Sequence, residues 1–324
     1  MSATIKDVAK KANVSVATVS RVINNNGYVH EDTKKLILQA IEELNYTPNQ
    51  YARFLSGSKT KIIGVLVPHI GTPFYGLFLE GLEYAAHSKG FKIMLANTND
   101  NEKIESEYIE IFKNYNVDGI IAASNILNVE QLLSFNKPIV TVDHVLSDEI
   151  PSITSNNVEG GKLAAQELIN SGCKNIYVLR GPSFLITTIE RTHGFLAEME
   201  KHPEINVEMD DFDLLMPDTN YIQEYIKNHP QIDGIFAMSD TLALIAASRL
   251  HVLNKRIPED CAIVGYDNII YSKFCSPALT TIEQPIKYLG IQAFNTIIKL
   301  IAGEKLTEAH QVINVNIKKR ESTK

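Results

Sequence analysis

The first 24 residues constrain this chain more than any other segment, because their apolar spacing fits two short helices joined by a tight turn. Ile5, Val8, Ala9 and Ala12 recur on one helical face, Val14 follows in the turn, and Val19, Val22 and Ile23 resume the same interval. Ser15 stands where a helix N-cap is wanted, with a hydroxyl able to accept an unpaired backbone N–H. The second helix then presents Val16, Ala17, Ser20, Arg21 and Asn24 to its surroundings. In a helix-turn-helix, the first helix crosses the phosphate backbone and the second enters the major groove. The predicted partner is therefore double-stranded DNA.

A third amphipathic helix is predicted over residues 31–44, with Leu36, Ile37, Ala40, Ile41 and Leu44 as its stripe. It completes a three-helix domain spanning residues 1–47. Residues 48–61 are read as a short hinge segment and a Ser/Gly linker. The seven residues 49–55 are too few for a stable isolated helix in water.

Charge divides along the same line. Residues 1–61 hold nine Lys/Arg against five Asp/Glu, a net +4; the rest holds 22 against 33, a net −11. A basic head on an acidic body turns the head toward a polyanion and keeps the body off it. No leader peptide is read at the start, and no apolar run approaches the roughly 20 residues needed to span a bilayer. Three cysteines without metal-ligand spacing argue against a disulfide framework or a zinc site, and fit a reducing cytoplasm. No cofactor is expected.

From Ile62 the rhythm changes to α/β. The continuous apolar run 62–67 suits a strand buried on both faces. Helices are predicted at 74–89 and 103–115, and strands at 91–96, 117–122 and 138–143. The pattern restarts with helices at 157–171, 189–201, 221–228 and 241–253, and strands at 176–179, 234–238 and 262–265. This is two doubly wound parallel-sheet units in series.

The segment from Thr4 to Asn24 meets almost all of the pattern T-I-x-D-V-A-x-x-A-G-V-S-x-x-T-V-S-R-V-[LIV]-N, and by it the chain resembles the LacI/GalR family of bacterial transcription regulators. Asn13 replaces the usual Gly, and Asn is the non-glycine residue that best tolerates a positive φ in such a turn. The resemblance implies a periplasmic-binding-protein-like body of two subdomains with a ligand cleft between them. It divides residues 62–324 into 62–156 with 286–306, and 157–285 with 307–324, the last strand running 312–317. No leucine heptads follow, so a homodimer is expected rather than a tetramer.

The same resemblance assigns sites. Base readout falls on Val16, Ala17 and Arg21; Arg21 can bond guanine O6 and N7, while Val16 and Ala17 can only meet thymine methyls or exclude bulk. Thr4, Ser15, Thr18, Asn24, Tyr46 and Asn49 are candidate phosphate contacts, although Ser15 could simply cap and Tyr46 could belong to the bundle. Asn49, Ala52 and Leu55 match the family's hinge helix, in which the Leu wedges into the minor groove at a flexible step.

For the effector, carboxylates and an Arg at strand ends suit sugar hydroxyls, with an aromatic ring for the apolar face. Asp143 and Asp267 end strands, and Arg191 lies in Arg-Thr-His-Gly-Phe, resembling the family's Arg-x-x-Gly-Phe. Phe74, Phe212, Ser239 and Gln284 complete the predicted lining. Arg191 and Asp267 could instead pair with each other across the cleft. The implied function is a repressor of a carbohydrate-utilisation operon, released by a sugar or sugar phosphate. Alternatives are a purine-like corepressor response, control by a phosphocarrier protein, a sugar-transport protein, and a glycosidase using Asp143 and Asp267. No phosphate loop, nucleophile elbow or metal motif supports an enzyme.

Overall fold

A computed structural model describes residues 3–24, 27–46, 59–124 and 129–324, and the chain divides into two compact units, Met1–Thr60 and Lys61–Lys324. In the first unit, α1 (Ile5–Lys11), α2 (Val16–Asn24) and α3 (Glu31–Glu43) close around Val8, Ala9, Val19, Ile37, Ala40 and Tyr46. Asn13 takes φ +53° in the turn, the conformation its side chain tolerates best after glycine. Ser15 caps α2, its Oγ accepting the Thr18 N–H at 3.1 Å. One stripe residue departs from expectation. Leu36 is exposed, and Ile37 and Ala40 carry the burial of α3.

The second unit holds two six-stranded sheets of matching design. The first contains β1 (Ile62–Val67), β2 (Lys92–Asn97), β3 (Gly119–Ala122), β4 (Ile139–Val142), β5 (Ser152–Ser155) and β11 (His310–Ile313), in the order β11-β5-β4-β3-β1-β2. The second contains β6 (Asn175–Arg180), β7 (Asn206–Asp211), β8 (Gly234–Ala237), β9 (Ala262–Asp267), β10 (Thr280–Glu283) and β12 (Asn316–Lys318), in the order β12-β10-β9-β8-β6-β7. All ladders are parallel except β10–β12.

Strand period decides what covers each face. Ile63, Val65 and Val67 point toward α4 (Pro73–Ser88) and α11 (Ile286–Ile301). Leu66 points the other way, toward α5 (Glu102–Asn114) and α6 (Val129–Leu133). In the second sheet Ile176 and Val178 face α7 (Asn157–Asn170) and α8 (Ile186–Met199), while Tyr177 and Leu179 face α9 (Thr219–Asn228) and α10 (Asp240–Val252).

The helix pair α7–α8 sits unusually close. A Cβ on Gly161 would lie 2.1 Å from the Arg191 carbonyl oxygen, and one on Gly194 would lie 1.8 Å from that of Val158. Backbone-to-backbone contact at Gly161 and Gly194 thereby fixes the height of α8, and with it Arg191.

Three strands escaped the sequence reading. β7 is an edge strand in which only Val207 and Met209 interrupt Asn, Glu and Asp, so it has no apolar run. β5 and β10 are short and hydroxyl-rich; their buried Ser152 and Thr280 are accommodated because they bond His310 at 2.9 Å and Thr323 at 3.0 Å. The predicted strand 312–317 is in fact two, β11 in the first sheet and β12 in the second. The last return between sheets therefore falls at residues 314–315 and not at 306, which places His310–Ile313 with the first subdomain.

Candidate functional site

The DNA-facing candidates are described within the first unit alone. Val16, Ala17 and Arg21 lie exposed on α2, so nothing in the head competes for the Arg21 fork by burial. Thr4 forms a capping box with Asp7, donating from its N–H at 2.8 Å and its hydroxyl at 2.7 Å. Thr18 shares a 2.8 Å hydroxyl bond with Ser15, which ties the first turn of α2 together. Tyr46, read as a phosphate contact, is buried in the head's core, and packing is what its placement accounts for. The side chain of Asn24 and all of Asn49, Ala52 and Leu55 lie outside the described residues.

In the second unit the strand C-termini of both sheets open onto one cleft. In both sheets the first five strands follow the order 2-1-3-4-5, a topology that leaves its ligand crevice beyond the carboxyl ends. The cavity there holds about 460 Å³. Phe74, Asp143, Arg191, Ser239 and Asp267 of the predicted set line it. So do residues the sequence reading missed, chief among them His69, Asp100, Phe184, Thr187, Asp213 and Leu215.

Arg191 is the best-held group. It is buried; its Nε donates to Asn157 Oδ1 at 3.0 Å, its Nη1 donates to the Met238 carbonyl at 2.7 Å, and its guanidinium carbon lies 3.8 Å from the Tyr266 ring centroid. A charge fixed at three points is preorganised for a ligand. Asp143 and Asp267 both adopt left-handed backbone, at φ +67° and +111°, which turns their side chains out of the strand ends. Among the described residues neither forms an ion pair with Arg191, so the cross-cleft bridge weighed above is absent. Asp143 Oδ1 is buried without a hydrogen-bond partner, the state expected of an acceptor shaped for a donor from outside the chain.

Burial governs the acidity of this site. It pushes the Asp143 carboxyl up to about 7, with Arg191 opposing and Asp267 and Glu190 reinforcing. Asp267 is pushed to about 6 by burial, against the pull of Arg191 and of Gln284. Asp240 is raised to about 8, again by burial and by Asp267. Native carboxyls that hold protons the unfolded chain would release stabilise the fold in acid. That contribution is lost as pH rises from about 4 through these values. A ligand that offers hydroxyls, as the sequence predicts, would have the opposite preference, because hydroxyls donate best to ionised carboxylates. Sugar affinity is expected to rise roughly tenfold or more between pH 5.5 and pH 8, with protons released on binding. Calorimetry in two buffers of different ionisation enthalpy checks both.

Two expected lining residues lie elsewhere. Gln284 is a positioning group; its Nε2 donates to Asp267 Oδ1 at 2.7 Å from behind. Phe212 is buried in the core beneath α9, with its ring 6.0 Å from that of Tyr221. It continues β7, and Asp210, two residues earlier on the same face, accepts bonds from Tyr177 and Tyr221. Ser239 proves to be the N-cap of α10, accepting the Leu242 N–H at 3.2 Å. The next residue, Asp240, is fully buried and joins Thr281 at 2.5 Å to the Ile269 N–H at 2.8 Å.

Among the described residues no cluster of three His, Cys, Asp or Glu could hold a metal ion, and no helix is long and apolar enough to cross a membrane.

A family model described as bacterial regulatory proteins, lacI family, matches residues 4–49, and one described as periplasmic binding proteins and sugar binding domain of LacI family matches residues 60–322. The ribose operon repressor of Halalkalibacterium halodurans is 37% identical over 321 residues, covering 99% of this chain and 97% of that relative. The ribose operon repressor of Bacillus subtilis is 38% identical over 309 residues, 94% of each chain. Among solved structures, a periplasmic binding protein/LacI transcriptional regulator from Alkaliphilus metalliredigens complexed with D-xylulofuranose superposes with a TM-score of 0.74 at 30% identity, covering 82% of this chain and 99% of the other. Proteins of this kind regulate transcription and are not enzymes, which removes the glycosidase reading of Asp143 and Asp267. With both its head and its body matched, the chain belongs to the LacI family of bacterial DNA-binding regulators.

Proposed function

We propose that this protein acts in the cytoplasm as a homodimeric repressor of a pentose-utilisation operon, and that an unphosphorylated pentose such as D-ribose in the cleft releases it from a pseudo-palindromic operator. The observation that carries the ligand class is the arrangement of Arg191 opposite Asp143 and Asp267, close enough to influence one another yet unpaired. Hydroxyls can donate to both carboxylates and accept from the guanidinium at once. The described lining also includes Asp213 and Asp100, the latter bonded to His69 at 3.0 Å, and its one Lys or Arg is Arg191. That surplus of negative charge repels a phosphate ester. The names of the relatives, ribose operon repressors, and the pentulose in the related structure agree with a five-carbon ligand.

Two heads on one dimer suit two half-sites about one helical turn apart. The coupling is proposed to run through residues 48–61, with Leu55 entering the minor groove between the half-sites. Closure of the cleft would favour an arrangement in which the two hinge segments can no longer meet on DNA. Calorimetric titration of the full chain with D-ribose, D-xylose, D-glucose and D-ribose 5-phosphate tests the ligand class. Saturable binding of a pentose with none of the phosphate ester is expected; binding of the ester alone would overturn the reading.

A further inference from the structure

We infer that Phe184 is the ring that covers the apolar face of the bound sugar, and so a determinant of which sugar the cleft accepts; this rests on the reading of the cleft as a sugar site. A cyclic sugar presents hydroxyls around its edge and C–H groups on its faces. Arg191, Asp143 and Asp267 can satisfy the edge, but they offer nothing to a face. The ring that sequence reasoning chose for that task, Phe212, is buried under α9 and does not reach the cleft.

Phe184 has the properties Phe212 lacks. It follows β6, at the carboxyl end of an inner strand, and it lines the cavity while remaining 69% exposed. An exposed Phe ring forgoes the burial free energy that most of this chain's phenylalanines realise, and covering a ligand face would recover it. It precedes Arg191 by seven residues on the same loop and helix, so ring and guanidinium approach the ligand from one wall. Leu185 and Leu215 flank it in the lining and extend the apolar strip. On the facing wall, Phe74 and Tyr75 also line the cavity; they meet edge-on at 5.1 Å and 86° and are half-buried against the first sheet's core, so they expose less ring than Phe184 does. Phe184 is therefore the lining ring with the most surface left for a sugar to cover.

The chain contains no tryptophan, so Phe184→Trp creates a single fluorescent reporter at the proposed contact. In the full-length protein, D-ribose is expected to shift its emission to the blue and reduce acrylamide quenching, saturating over the range seen by calorimetry. Phe184→Ala is expected to weaken D-ribose binding at least tenfold while leaving the sugar-free thermal midpoint in place. An unmoved emission at saturating D-ribose, or an unchanged affinity in Phe184→Ala, overturns the role given to Phe184. If the unaltered protein binds no pentose, the sugar reading itself fails and the inference falls with it. Calorimetry on the unaltered chain therefore separates the two failures.

Discussion

Arg191→Ala is expected to lower D-ribose affinity at least a hundredfold. The guanidinium is held by Asn157, the Met238 carbonyl and the Tyr266 face, so it meets a ligand without losing further freedom. Hydrogen bonds to a charged group are worth about 1.5–3 kcal/mol each, and two of them account for the loss. A second effect identifies the cause. Arg191 is what opposes the upward push of burial on Asp143 and Asp267. Without it both carboxyls should titrate higher, and the residual affinity should rise with pH only further into the alkaline range. Arg191→Lys keeps the charge but not the planar fork that spans Asn157 and Met238 while stacking on Tyr266, so it should preserve the pH profile and still lose affinity. Isothermal calorimetry from pH 5.5 to 9 separates the variants. Unaltered affinity in Arg191→Ala would remove the cleft's charged centre from the mechanism.

The second large effect belongs to the head. Arg21 is exposed near the end of α2 and is the one cation of the reading helix. A bidentate contact to guanine discriminates by about 1–3 kcal/mol, and a dimer on two half-sites makes it twice. Arg21→Ala should weaken operator binding by roughly thirtyfold to about twenty-thousandfold. Binding to random duplex should fall far less, because phosphate contacts supply most of it. Competition with random DNA at one salt concentration measures both. A parallel loss on the two DNAs would make Arg21 a phosphate contact, not a reader of bases.

What the sequence revealed, and what it hid, follows from local physics. Asn13 was legible because a turn between two helices requires a left-handed residue and Asn supplies it. The inner strands β1, β8 and β9 were legible because burial on both faces leaves an uninterrupted apolar run. Asp143 and Asp267 were legible as carboxylates ending such runs. Phe212 was misread because a residue's face is set by strand register. In the half-polar edge strand β7, which was not read as a strand, Val207 and Met209 take the face toward α8, and counting by two from Asp210 puts the Phe212 ring on the other face, toward α9. Phe184 was missed because a loop residue has no period, and Thr187 because the helix carrying Arg191 starts at Ile186, three residues before the predicted start; the available signal was a Gly-Pro turn between a strand and that helix. The split of β11 from β12 was hidden because residues 310–318 alternate without a Gly or Pro to mark the change of sheet.

At the centre of this account is an energetic link between an occupied cleft and a DNA-bound head. Linkage requires the factor by which sugar changes operator affinity to equal the factor by which operator changes sugar affinity. The direct measurement is operator affinity of the full-length protein at one fixed salt concentration, without and with saturating D-ribose, alongside D-ribose affinity without and with operator. The expected result is a matched weakening of about 5- to 150-fold in both directions. Operator affinity that stays constant while D-ribose demonstrably fills the cleft would contradict it.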